Sequence, residues 1–163
     1  MIRWFERHNR ISWIVTFVIA GIVFYISSLT FGAGIGGGSK SILYHFSAFF
    51  FLALFLSISL TKGKQQRFIV LAIVLAIVYG ISDELHQLFV PGRAGALSDV
   101  FINSVGIIFA SMIYLIVFAY RRNGLREIHK VKNMGANKVW RRGRLSKFCK
   151  LIILNLLFPK TLY

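Results

Sequence analysis

The chain has 163 residues, of which 56% are hydrophobic and only 15% charged, and its mean hydropathy is +0.68. A soluble domain carries about a quarter charged residues and keeps about 30% of its unfolded surface wet, so it could not hide so much apolar side chain. Twenty Lys and Arg against five Asp and Glu give a net charge of +15, which leaves two classes: a small integral membrane protein, or a nucleic-acid binder with an oily core.

The first hydrophobic block, 11–31, carries no charge and follows three arginines, Arg3, Arg7 and Arg10. Its apolar run is longer than the 7–15 residues of a signal-peptide core, which predicts a retained membrane helix. The glycine cluster GAGIGGG at 32–38 follows that helix and not a strand, so it reads as a flexible loop and not as a nucleotide-binding turn. The second block, 41–60, holds one ionisable residue, His45. Lys62, Lys64 and Arg67 join it to the third block, 68–88; a Pro-Gly turn at Pro91-Gly92 leads to the fourth, 99–120. Each block is about 20 residues long, enough to cross roughly 30 Å of hydrocarbon at 1.5 Å per residue. None alternates with period two, which argues against a barrel. The expected fold is all-α: a bundle of four transmembrane helices over 1–120, followed by a basic, partly helical tail, 121–163.

The charges orient the bundle. Three basic residues precede the first block, three join the second to the third, and twelve follow the fourth, while the other two connections carry only Lys40 and Arg93. Eighteen of twenty therefore fall on one side, which the positive-inside rule makes the cytoplasm, with both termini inside; the expected membrane is the plasma membrane. A nucleic-acid binder has no reason to segregate its charge in this way, so none is expected as a partner. In the tail, the eight apolar residues LIILNLLF at 151–158 are too few to span and follow RRGRLSKFCK, a pattern suited to a helix lying on anionic lipid. The single cysteine, Cys149, excludes an intramolecular disulfide and a cysteine-built zinc site.

Three of the five acidic residues sit together, Asp83 and Glu84 near the end of the third block and Asp99 at the start of the fourth. Charged side chains inside a span cost roughly 2.5–3.5 kcal/mol each on insertion scales, so they face the protein interior and mark function. Counting residues from the outer ends places His45, Asp83, Glu84, Asn103, Ser27 and Ser28 within roughly 8 Å of one level at 1.5 Å per residue. Asp83, His86 and Gln87 share a helix face by their i,i+3 and i,i+4 spacing, with Tyr79 behind them, and Glu84 points about 100° away. Gly106 and Ala110 form a small-xxx-small pair suited to close helix packing. Each polar residue also has a plain structural use: Ser98 and Asp99 can cap a helix, Arg93 can pair with an acid, and His45 can be a bonded core histidine. Neither capping nor turn-making requires Asp83, Glu84, His86 and Gln87 together inside a helix end.

The string DELHQLFVPGRAGALSDVFINSVG resembles the signature of VanZ-like membrane proteins, roughly Asp-Glu-x-x-Gln, a loop Arg, then Asp-Val-x-x-Asn-x-x-Gly. YHFSAFF around His45 and FYISS at 24–28 resemble that family's second- and first-helix segments, and the likeness covers about 10–120. It implies a bacterial-type cell-envelope protein of four to five helices, in a family whose founding member is associated with low-level resistance to the lipoglycopeptide teicoplanin. The polar positions it carries over are His45, Asp83, Glu84, Gln87, Arg93, Asp99 and Asn103.

Three functions are compatible with these residues. The first is an enzyme on an anionic or lipid-linked envelope substrate, with Asp83, Glu84, His86, Gln87 and His45 as candidate catalytic residues and Arg93, Asp99, Asn103 and Ser28 as substrate-binding ones. The second is a non-catalytic envelope protein binding lipid or a lipophilic antibiotic in the same groove. The third is an ion-coupled transporter, against which count a polar layer confined to one level and the lack of a repeat. Whether the protein is an enzyme stays open. Membrane lipids are its expected partners. His45, His86, Asp83 and Asp99 would suit a divalent metal chemically, but no ligand-spacing motif such as HExxH is present, so no metal and no cofactor are expected.

Overall fold

A computed structural model gives the architecture; it describes residues 2–30, 39–93 and 95–133. Among them the chain is entirely helical: α1 (Ile2–Arg7), α2 (Asn9–Ser27), α3 (Ser39–Thr61), α4 (Phe68–Gln87) and α5 (Leu97–Asn133). Four of these helices, α2 to α5, are long and apolar enough to cross a membrane. The four expected blocks all appear, with shifted ends. The first starts at Asn9 and stops at Ser27, and Ile2–Arg7 fold separately as α1 with a break at His8. The apolar ring of Phe5 then packs edge-on against Phe55 of α3, at 5.1 Å.

The fourth helix runs to Asn133, well beyond the expected end at 120. RRNGLREIHKVKN holds mostly strong helix formers and no proline, so nothing in it stops the helix once the apolar span is nucleated. Compact clustering divides the chain into residues 1–118 and a second unit from Ala119 on. In the described part of that second unit the helix is mostly exposed and carries Arg121, Arg122 and Arg126. The expected interfacial helix at 151–158 lies outside the described residues.

Within the first unit many large apolar side chains face outward. Phe17, Val70, Phe101 and Ile116 are 64–70% exposed. Buried beside Phe49, Ile58, Ile69, Ile107 and Tyr114 are many small or polar side chains: Ala53, Ala72, Ala76 and Ala110, together with Ser12, Ser57, His45, Asp83 and Glu84. Lipid tails are as apolar as leucine, so membrane helices gain little by hiding large aliphatics and associate through small residues and hydrogen bonds. On α4, Ala72, Ala76 and Gly80 recur every four residues, and Phe49 of α3 fills the space that a side chain at Gly80 would need. Gly106 makes the closest approach. A Cβ there would lie 2.5 Å from the backbone oxygen of Phe46, so only glycine lets α5 touch the α3 backbone.

The helices alternate in direction. One end of the bundle therefore collects the end of α2, the start of α3, the end of α4 and the start of α5, and with them Asp83, Glu84 and Asp99. Between the two ends the core is apolar, built on Val23, Phe49, Ala53, Ala76 and Ile107.

Candidate functional site

Ser27, His45, Asp83, Glu84, Gln87 and Asn103 are buried together at that end. They form two linked groups. In the first, the Asp83 carboxylate accepts from Ser27 Oγ at 2.5 Å and from Gln87 Nε2 at 3.1 Å. Gln87 lies one helical turn beyond Asp83, so its amide reaches back along α4 while α2 supplies the serine. Arg93 closes this group: its Nη1 donates to Gln87 Oε1 at 3.4 Å, and its Nε and Nη2 donate to the carbonyls of Leu29 and Ile26 at 3.2 and 2.7 Å. Those carbonyls belong to the last turn of α2 and the residues just past it, where a helix carries unsatisfied acceptors and partial negative charge.

The second group centres on His45. Its Nδ1 is 3.1 Å from Asn103 Oδ1 and 3.6 Å from Glu84 Oε1, and its Nε2 is 3.6 Å from Asp99 Oδ2. Glu84 bridges elements through its other oxygen, Oε2, which accepts from the backbone N–H of Ala96 at 3.3 Å, just before α5 begins. Gly95 makes this possible, since a Cβ at that position would stand 2.6 Å from the Glu84 carbonyl oxygen. Two buried atoms of this group have no hydrogen-bond partner: Glu84 Oε1 and Asn103 Nδ2. The Tyr44 hydroxyl, on the next residue of α3, is buried without one as well. Native interiors leave few such atoms, so an unmet carboxylate oxygen facing a histidine calls for a reason.

The structure thus gathers seven of the nine residues that the sequence singled out, namely Asp83, Glu84, Gln87, His45, Arg93, Asp99 and Asn103. The other two, His86 and Ser28, pair with each other away from the carboxylates: His86 Nε2 lies 3.0 Å from Ser28 Oγ, and its ring stacks on Phe24 at 4.6 Å. Ser27 takes the place against Asp83 that spacing alone could equally give to Ser28. Tyr79, expected on the Asp83 face, donates to the carbonyl of Ala20 at 2.6 Å instead. Ala96 is a residue no side-chain search would find, because its contribution is a backbone N–H.

His45, Asp83 and Glu84 offer one donor atom each, all within 4.8 Å of one another. Beside the layer, on the same turns of α3 and α5, Ile42, Leu43, Phe46, Phe101, Ile102 and Val105 line an apolar groove of about 410 Å³.

A family model described as VanZ/LLP1 matches residues 12–118. The chain belongs to this family. The match takes in all four apolar helices up to Phe118 and every residue of the polar layer from Ser27 to Asn103. No curated protein and no solved structure matches the chain. The protein is therefore a VanZ/LLP1-family membrane protein, and what its site does has to be argued from the geometry.

Proposed function

We propose that the polar layer is a site at the outer leaflet of the plasma membrane that binds or acts on the headgroup of an anionic or lipid-linked envelope molecule. The observation that carries this reading is the buried Glu84 oxygen facing His45 with no hydrogen bond of its own. A layer serving only to hold helices together would satisfy its carboxylates, because each unmet buried group costs stability. The charge partition supports the placement: with eighteen of twenty Lys and Arg on the opposite side, the layer faces outward.

In this reading Glu84 and His45 are the acid–base pair that meets the headgroup, and Asp83, braced by Ser27 and Gln87, fixes the electrostatics beside them. Arg93 is the positive group for an anion, held at the mouth of the layer by the end of α2. Asp99 and Asn103 set the orientation of the imidazole. The apolar groove beside His45 and Asn103 suits an acyl chain, so a lipid would place its tail along α3 and α5 and its headgroup against the layer. An apolar core between the two ends supports a site of this kind over an ion path, which needs polar groups at midplane.

The test is envelope-antibiotic tolerance, with teicoplanin as the probe, in cells expressing the protein or its variants. Glu84→Gln and Arg93→Ala are expected to lose tolerance at unchanged protein level. Full tolerance in both variants overturns the reading.

A further inference from the structure

The donor atoms around His45 are spaced for a cation. Its Nδ1 faces Glu84 Oε1 at 3.6 Å, beyond the 2.7–3.2 Å of a normal N–H···O bond. That spacing suits two ligands of one metal ion: donors each about 2.1 Å from a tetrahedral centre lie roughly 3.4 Å apart. Asp83 brings a second carboxylate, and the atoms of His45, Asp83 and Glu84 fall within 4.8 Å of one another. The second, independent observation is Glu84 Oε1, which belongs to a side chain only 5% exposed and has no hydrogen-bond partner.

The surrounding bonds are those that hold metal ligands in place. Ligating histidines carry a hydrogen bond on the other ring nitrogen, and ligating carboxylates are themselves bonded by neighbours. Here Asp99 Oδ2 faces the other ring nitrogen of His45, Nε2, at 3.6 Å, while Ser27 and Gln87 fix the Asp83 carboxylate. The charge sum points the same way. In formal charge, with histidine counted as neutral, the described residues of the layer set Asp83, Glu84 and Asp99 against the one guanidinium of Arg93. One divalent cation closes that balance in a place where net charge is costly.

We propose that His45, through Nδ1, together with Asp83 and Glu84 binds a first-row divalent cation of the zinc or manganese type. Imidazole with carboxylates is the donor mixture such ions take, whereas Mg²⁺ and Ca²⁺ prefer oxygen alone. This deepens the reading of the layer as a functional site and rests on it only for what the ion would do there, namely polarise a headgroup oxygen.

The experiment uses the full chain without a histidine tag, in nanodiscs, stripped with a chelator and titrated with Zn²⁺ and, separately, Mn²⁺. Bound metal is counted by elemental analysis, and the thermal midpoint is followed in parallel. The expected result is saturation at one ion per chain with a rise in the midpoint. Glu84→Gln keeps the oxygen that accepts from Ala96 and should stay folded, yet lose binding. Asp99→Asn should bind about 10–100-fold more weakly, the usual cost of weakening an outer partner of a ligand. His86→Ala should bind as the parent does, because His86 lies outside the cluster. Absence of saturable binding by either ion overturns the proposal, as does binding that survives in Glu84→Gln or disappears in His86→Ala. If Glu84→Gln abolishes tolerance while the parent holds no ion, the metal inference fails and the site reading stands. If the ion binds and both variants keep full tolerance, the reverse holds.

Discussion

At the end of the bundle that carries α1, the buried polar groups are hydroxyls. Thr16 and Thr61 donate to the carbonyls four residues back on their own helices, at 2.8 Å in both cases, and Ser12 donates to the Phe5 carbonyl. Tyr114 then joins Thr61 to the carboxylate of Glu6, at 2.9 Å from the latter. At the opposite end the buried groups are carboxylates, an imidazole and amides, and their partners come from other helices: Ser27 on α2, His45 on α3, Asn103 on α5. A hydroxyl can satisfy itself locally, so a helix hides it at little cost. A carboxylate is an acceptor only and finds no donor on its own helix turn except a side chain placed for it. The two ends therefore show what packing alone requires and what it does not. The hydroxyl end is glue; the charged end is held at a cost, with a carboxylate oxygen of Glu84 left without a donor.

The widest separation between the two ends is topological. With the hydroxyl end in the cytoplasm, a reporter fused after Lys62 is protected from the outside of intact cells and one fused at Gly36 is fully exposed. The opposite pattern breaks both the orientation and the outward placement of the site.

Next in size is the functional asymmetry. Glu84→Gln at the charged end should abolish tolerance while leaving thermal stability equal or raised, since an amide removes a desolvation cost and keeps the acceptor for Ala96. A drop in stability matching the drop in function would make Glu84 a structural counter-ion to His45 and nothing more.

Tyr114→Phe is the mirror experiment. It removes the hydroxyl linking Thr61 to Glu6 and should cost about 1–2 kcal/mol, the upper range for side-chain bonds between membrane helices, with tolerance unchanged. Unfolding followed in a detergent-denaturant series checks the cost. Loss of function in a stable Tyr114→Phe protein would mean that the two ends communicate.

Much of this contrast is legible in the residues. The spans are visible because bilayer thickness imposes a length that uniform apolar runs either meet or miss. The charged layer is visible because Asp83, Glu84 and His45 interrupt such runs. The same uniformity hides the rest. On α2, Ser27 and Ser28 are neighbours about 100° apart, and an apolar helix does not announce which face it turns inward, so spacing cannot say which serine meets Asp83. α1 is too short and too charged to register as a periodic element beside the span that follows. The run of α5 to Asn133 depends on the absence of a stop signal, whereas the expected boundary followed the end of hydrophobicity. Arg93 is visible as a counter-charge, but its bonds to the α2 carbonyls depend on how the turn after α4 folds back, which no local pattern encodes.

The smallest expected effect is the most discriminating, because it falls between two histidines of the same neighbourhood. Sequence spacing puts His86 on the Asp83 face, and the structure turns it outward onto Phe24 and Ser28. His86→Ala loses one hydrogen bond between membrane helices and one ring contact, so its stability should fall by only about 0.6 kcal/mol, the average for such bonds. Tolerance should be kept. His45→Ala removes a side chain with three polar neighbours, Asn103, Glu84 and Asp99, and leaves two carboxylates facing each other across its space. Its tolerance should vanish. Paired growth assays on the two variants, with protein level held constant, measure the difference directly. If His86→Ala fails as completely as His45→Ala, the functional layer extends to the lipid-facing side of α4, and the boundary between site and scaffold has to be drawn one helix face further out.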